Sequence, residues 1–107
     1  MNRKKLDKLW KALEVARRSP QKESDLVDLA TMAGRRMESG GNHPMWYSTY
    51  FPHRRGFPIS RHGGNPEVAP YVRNIIIGHL EGDAALLEEY LDPLDGGQEK
   101  KNGNGGV

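Results

Sequence analysis

Apolar residues recur at helical spacing through the first third of the chain. One stripe has the spacing i, i+3, i+4, i+7 and predicts an amphipathic helix over residues 3–18, with lysines on its opposite face. Ser19-Pro20 interrupts it. A second stripe predicts a helix over 25–33, with Ser24 as N-cap and Gly34 as its C-terminal glycine. The two stripes are Leu6, Leu9, Trp10, Leu13, Ala16 and Leu26, Leu29, Ala30, Ala33, Met37.

After Gly34 the pattern changes from helical to alternating. It predicts three short antiparallel strands over 35–39, 45–51 and 57–62, separated by Gly/Asn-rich and basic turns. Pro58 has no amide hydrogen to donate to a ladder, so the third strand is expected at an edge of the sheet.

Helical spacing returns near the C-terminus. It predicts a helix over 67–81 and a second, short helix over 83–91 that restarts at Gly82-Asp83 and ends at Pro93. Residues 96–107 are rich in Gly, Asn and Lys and are predicted to be disordered.

These elements predict one α+β domain over residues 1–95. Its core is a helix, a three-stranded antiparallel sheet and a helix, with an extra helix at each end. Helices are expected to cover one face of the sheet and to leave the other face open.

Composition limits the chemistry. The 107 residues contain no cysteine and four histidines, so disulfides, zinc ribbons and thiol nucleophiles are excluded and no metal site or other cofactor is expected. No apolar run reaches the roughly 18 residues of a membrane span. The basic N-terminus leads into an amphipathic helix, unlike a signal peptide, so a cytoplasmic location is expected.

Charge is unevenly distributed along the chain. Residues 1–73 hold 14 Lys and Arg against 7 Asp and Glu, whereas residues 74–107 hold 2 against 7. This segregation suggests a polyanion-binding body and an acidic end that stays away from the polyanion. Charge runs are also commonly just solvated faces.

His43 follows Gly40-Gly41-Asn42 and precedes the predicted second strand, at the rim of the sheet. An imidazole there can accept and donate protons at cellular pH. A surface histidine that opens an edge strand before Pro44 is the alternative interpretation. The nearby arginines favour RNA as substrate: Arg35, Arg36, Arg54, Arg55, Arg61 and Arg73.

Over residues 24–80 the chain resembles the HicA-type toxins. The resemblance lies in Gly-Gly-Asn-His at 40–43 followed by Met45-Trp46, in Pro58 to His62, and in the aliphatic helix centre of 69–76; residues 24–34 resemble the first family helix. The helix over 3–18, residues 83–107 and Pro44 directly after His43 depart from the family pattern.

The resemblance implies a double-stranded-RNA-binding-like (dsRBD-like) fold. It also implies the toxin of a type II toxin–antitoxin system, an mRNA interferase that a HicB-type antitoxin neutralises. His43 takes the position of the family's catalytic histidine.

The residues permit a metal-independent cleavage of mRNA. RNA supplies its own 2′-hydroxyl nucleophile, His43 acts as general acid/base, and arginines position phosphate. His62 is a candidate for a second proton-transfer or phosphate-contacting group. Either Trp46 or Tyr47, not both, is expected to stack on bases. The other expected RNA contacts are Gly41, Asn42, Arg35, Arg36, Arg54, Arg55 and Arg61.

Two further functions remain open from the sequence. The same basic sheet face could bind RNA without cutting it. Alternatively, the basic face could meet an acidic protein partner, with no nucleic acid involved. Salt sensitivity of RNA binding separates the last two, because phosphate contacts weaken steeply with salt.

Overall fold

Three helices and a small sheet make up the fold. The computed structural model describes residues 1–38 and 44–95, with side chains described to Leu91. The predicted disordered tail, 96–107, lies outside these residues. In chain order the elements are α1 (Arg3–Arg17), α2 (Glu23–Met32), β1 (Arg35–Glu38), β2 (Met45–Ser48), β3 (Phe57–Pro58) and α3 (Pro70–Asp95). The α+β class is as predicted, with a three-stranded antiparallel sheet between helices.

Helix α1 is an integral part of the core. In its apolar stripe Leu6, Leu9 and Leu13 are fully buried and Trp10 is partly buried, and α1 packs antiparallel on α3. Two ion pairs line this contact, Arg3 with Glu88 at 2.7 Å and Arg17 with Glu81 at 2.7 Å. Acidic residues of the C-terminal half therefore neutralise basic residues of α1. Part of the acidic end thus lies on the basic body, through Glu81 and Glu88.

Helix α2 begins two residues earlier than predicted. Its N-cap is Lys22, whose backbone N–H donates to the Asp25 carboxylate at 2.8 Å, so Ser24 is not the cap. Ser24 instead bonds the side chain of Asn65 in the loop before α3. Gly34 follows the helix with φ of 86°, the left-handed conformation that its predicted role requires.

The sheet has the predicted antiparallel order β1-β2-β3, but its strands are shorter. β2 ends at Ser48, and the next residue, Thr49, bonds the Gly34 carbonyl through both its amide (2.9 Å) and its hydroxyl (2.7 Å). β3 is limited to Phe57 and Pro58, which pair with β2 alone. Pro58 thus lies in an edge strand, as predicted.

Helix α3 is one continuous helix from Pro70 to Asp95. The predicted break at Gly82-Asp83 and the predicted stop at Pro93 are both wrong. Gly82 has a packing role, because a Cβ there would lie 2.6 Å from the Arg54 guanidinium. Asp83 is fully buried and binds arginine side chains, so it caps no helix.

Candidate nucleic-acid interface

The segment 39–43, which contains the predicted catalytic histidine, is not among the residues that the structure describes. His43, Gly41 and Asn42 lie outside the described residues, so their predicted roles stay predictions. Pro44, the next residue, is buried, and its carbonyl accepts a hydrogen bond from the Ile59 amide at 3.3 Å. The residue before β2 is therefore bonded to the residue after β3.

The sheet separates the predicted RNA-binding residues into two groups. Arg61 and His62 follow Ile59 at the Pro44 end, whereas Arg54 and Arg55 precede β3 at the opposite end. Four paired residues separate the ends, Arg35↔Ser48 to Glu38↔Met45. At about 3.3 Å per residue this is roughly 10 Å. The arginines predicted to contact RNA therefore do not all lie at one end of the sheet.

Arg35 lies inside the protein. Its Nε and Nη2 donate to the Asp83 carboxylate at 2.7 and 2.9 Å, and Nη1 donates to the carbonyls of Trp46 and Arg55. Its Cζ lies 4.7 Å from the centroid of the Phe57 ring. The prediction that Arg35 contacts RNA is therefore wrong, because its donors are used internally and only 2% of the residue is exposed.

Arg54 is turned largely toward the same carboxylate. Its Nε donates to Asp83 at 2.7 Å and its Nη2 to the His79 carbonyl at 3.3 Å, leaving 27% of the side chain exposed. A guanidinium oriented in this way has few donors left for a phosphate. Arg55, in contrast, is exposed and remains compatible with its predicted role.

Between the two candidate stacking residues, the structure selects Tyr47. Trp46 is buried in the core beside Phe57, so its predicted RNA contact is wrong. Tyr47 points to the opposite face and is 38% exposed. The indole Nε1 of Trp46 is buried and has no hydrogen-bond partner in the part of the chain that the structure describes.

The outer face of the sheet carries an arginine directly beside an aromatic ring. Arg36 and Tyr47 are cross-strand partners, so their side chains lie on one face, and both are exposed. The Tyr47 ring lies against Gly56, where any Cβ would collide with it. The register also places Glu38, Met45 and Pro58 on this face. Together with Arg36 and Tyr47 they define what we term the open face, which no described helix covers.

His79, on α3, was missed by the sequence analysis. Its ring stacks on Phe57 with centroids 5.1 Å apart. Burial lowers the pKa of His79, and the positive charges of Arg35 and Arg54 lower it further. His79 is thus a half-buried imidazole that packs on Phe57 beside Arg35 and Arg54.

At the Pro44 end, His62 pairs with a carboxylate that sequence reasoning also missed. Glu23 Oε2 lies 2.6 Å from His62 Nδ1, and Oε1 accepts the His62 backbone N–H at 2.8 Å. Burial alone would raise the pKa of Glu23, but these hydrogen bonds outweigh it and lower the pKa. Glu23 is the first residue of α2, but the helix was predicted to begin at residue 25, so no sequence signal pointed to this pair.

The Glu23–His62 pair lies between two surface clefts. One, of about 370 Å³, is lined by residues including Arg61, Asn65 and Trp46; the other, of about 280 Å³, lies on the side of Val68. The pair is therefore accessible from the surface at the end of the sheet where residues 39–43 connect β1 to β2.

Within the described residues no helix is both long and apolar enough to cross a bilayer. The chain matches no protein-family model, no characterised protein and no solved structure. The functional interpretation therefore depends on the geometry above and on the motif in the sequence.

Proposed function

We propose that this chain is a metal-independent endoribonuclease of the HicA type, with a dsRBD-like fold, that cleaves mRNA through His43. Two independent features support the proposal: the Gly-Gly-Asn-His segment at 40–43, and an α+β order in which three antiparallel strands follow a helix and precede another. The resemblance covers residues 24–80, and α1 extends that unit by completing its core.

The observation that carries the proposal is the open face. Arg36 and Tyr47 lie side by side on it, with Arg55 exposed in the turn before β3. A guanidinium can contact a phosphate through two parallel hydrogen bonds, and an aromatic ring can stack on any base. A surface with both groups and no covering helix suits a single strand of RNA.

Cleavage in this proposal uses the 2′-hydroxyl of RNA. His43 removes its proton, the 2′-oxygen attacks phosphorus, and the bond to the 5′-oxygen breaks, giving a 2′,3′-cyclic phosphate. A positioned general base contributes about 10²–10⁴-fold in rate. Arg61 takes the phosphate-binding role near His43, because it follows the segment bonded to Pro44. Arg36 and Arg55 bind the strand further away.

A HicB-type antitoxin is the partner that the resemblance implies. By covering the open face and residues 40–43, such a protein would exclude RNA. Acidic side chains on it would complement Arg36 and Arg55, both of which are exposed.

The test is RNA cleavage by purified protein. Wild type should cut a labelled mRNA equally well with and without EDTA, and His43→Ala should stay folded and bind RNA but lose cleavage. His53→Ala is the matched control, since His53 is an exposed histidine in the turn at the opposite end of the sheet. Unchanged cleavage by His43→Ala, or a strict need for divalent metal, would refute the proposal.

A non-catalytic RNA-binding module is the second candidate. It is favoured by the same open face, because Arg36 and Tyr47 need no histidine to bind a strand. A gel shift with intact RNA, together with normal growth when the protein is expressed without its partner, would select this candidate over the nuclease.

A further inference from the structure

We infer that His62, held in place by Glu23, is the general acid that protonates the leaving 5′-oxygen during RNA cleavage. The inference rests on the proposed endoribonuclease function and adds a second catalytic residue to it. In this role His62 touches the reacting atoms, and Glu23 is a positioning residue.

Geometry leaves one ring nitrogen of His62 available. An ionised carboxylate can only accept hydrogen bonds, so His62 Nδ1 must carry the hydrogen directed at Glu23, 2.6 Å away. Nε2 then faces away from Glu23 on a side chain that is 64% exposed. A second hydrogen bond, from the His62 amide to the same carboxylate, fixes the backbone too. Carboxylates that orient catalytic imidazoles do so through the same contact.

Glu23 is maintained as a carboxylate by its surroundings. It is the first residue of α2, where the helix dipole stabilises negative charge, and only 7% of it is exposed. Its lowered pKa agrees with an ionised group. Burying a carboxylate is costly unless it is hydrogen-bonded, and here both of its oxygens are used by residue 62 alone.

The loop before α3 is attached to α2 without the Glu23–His62 pair. Asn65 already bonds Ser24 at 3.0 and 2.8 Å, and the Val68 amide bonds the Gln21 carbonyl at 2.8 Å. These contacts attach the loop before α3 to the start of α2. The Glu23–His62 pair therefore adds an oriented, accessible imidazole to a loop that is anchored independently.

The surroundings suit a phosphodiester. Arg61 precedes His62, is exposed, and lines the 370 Å³ cleft with it. The proton balance also closes. His43 takes the 2′ proton, and His62, with a hydrogen on each ring nitrogen, gives its Nε2 proton to the 5′-oxygen as the phosphorus–oxygen bond breaks. His62 keeps its Nδ1 hydrogen directed at Glu23, and solvent then restores both rings.

The test compares two leaving groups in one oligonucleotide, at a single linkage that wild type cleaves. In the first substrate the leaving atom is the natural 5′-oxygen; in the second it is sulfur, which departs as a thiolate and needs no proton. We expect His62→Gln to slow the oxygen substrate by about 10²–10⁴-fold and to cut the sulfur substrate at nearly the wild-type rate. Glu23→Gln should show the same selectivity with a smaller loss.

Matched variants separate Glu23 from the other charged groups near His62. The charged groups around His62 are Glu23 and Asp28 on α2, Arg61 beside it and Glu67 in the adjoining loop. Glu67→Gln is a matched control for Glu23→Gln, and circular dichroism melting verifies folding.

Equal slowing of both substrates by folded His62→Gln, or no slowing of either, would overturn the inference. If at the same time wild type cuts RNA and His43→Ala does not, the proposed function survives this failure. If wild type cuts no RNA, the proposed function fails and the inference fails with it.

Discussion

Asp83 binds Arg35 across 48 residues of sequence, through two hydrogen bonds between fully buried side chains. Arg54 adds a third hydrogen bond to the same carboxylate. The middle of α3 is thus attached to β1 and to the turn before β3. This cluster fixes how the sheet sits on the helices, and it occupies two arginines whose types alone would suggest RNA contacts.

Asp83→Asn should destabilise the protein by about 3–5 kcal/mol, because it leaves the buried Arg35 charge uncompensated. Urea unfolding followed by circular dichroism measures the change. Glu81→Gln on the same helix is the control, and it should cost far less because its pair with Arg17 is partly exposed. Equal losses in the two variants would contradict the central role given to Asp83.

Gly34→Ala should destabilise by more than about 1–2 kcal/mol, the cost of left-handed backbone for an L residue. The added methyl also collides with the Tyr50 ring. Gly78→Ala is the matched control: no atom lies within 4 Å of its Cβ position, and alanine in a helix should add about 0.5–1 kcal/mol. Thermal melting of both variants measures these changes in stability. A change of the same sign in the two variants would contradict the prediction.

Stability should fall in mild acid because of His79. The folded protein lowers the pKa of His79, so the unfolded chain binds protons more readily and acid favours unfolding. The free energy of unfolding should therefore decrease as pH drops through about 6.5. His79→Phe keeps a ring against Phe57 and should flatten this dependence in urea unfolding measured across that range. An unchanged slope would rule out His79 as its source.

Binding to single-stranded RNA should depend on the open face whether or not the chain cleaves. Tyr47→Ala should weaken binding by about 1–3 kcal/mol through loss of base stacking. Arg36→Gln should weaken it and lower the slope of log K against log salt by about 1. Arg18→Gln is the control, since Arg18 is a highly exposed arginine at the end of α1. Filter binding in the His43→Ala background measures RNA affinity without cleavage. Equal losses of affinity in Arg18→Gln and Arg36→Gln would argue against a defined RNA-binding face.

Much of the fold could be predicted from local pattern. The stripe from Leu6 to Ala16, the glycine after α2 and the edge position of Pro58 each express a rule about neighbours in sequence, and each is found. The wrong predictions concern residues whose structural role depends on contact with a residue far away in the sequence. Gly82 suggested a break in the helix, but in the structure it lies against the Arg54 guanidinium. Asp83 suggested a helix start, but in the structure it binds Arg35.

The candidate site shows the same limit. Residue type alone suggested that both Arg35 and Arg36 contact RNA. They are neighbours in sequence, but adjacent strand residues point to opposite faces, so Arg35 is buried and Arg36 is exposed. His62 could be chosen for its chemistry, whereas its partner Glu23 lies 39 residues away and no spacing rule connects them.

The distance in sequence between Arg35 and Asp83 also affects how the protein is made. A nascent chain that has emerged only as far as β3 carries a guanidinium destined for the interior with no carboxylate to meet it, and it lacks the helix against which α1 packs. The sheet therefore gains the support of α3 only after that helix has been made. A growing chain on the ribosome, surrounded by RNA, would not yet present a finished open face.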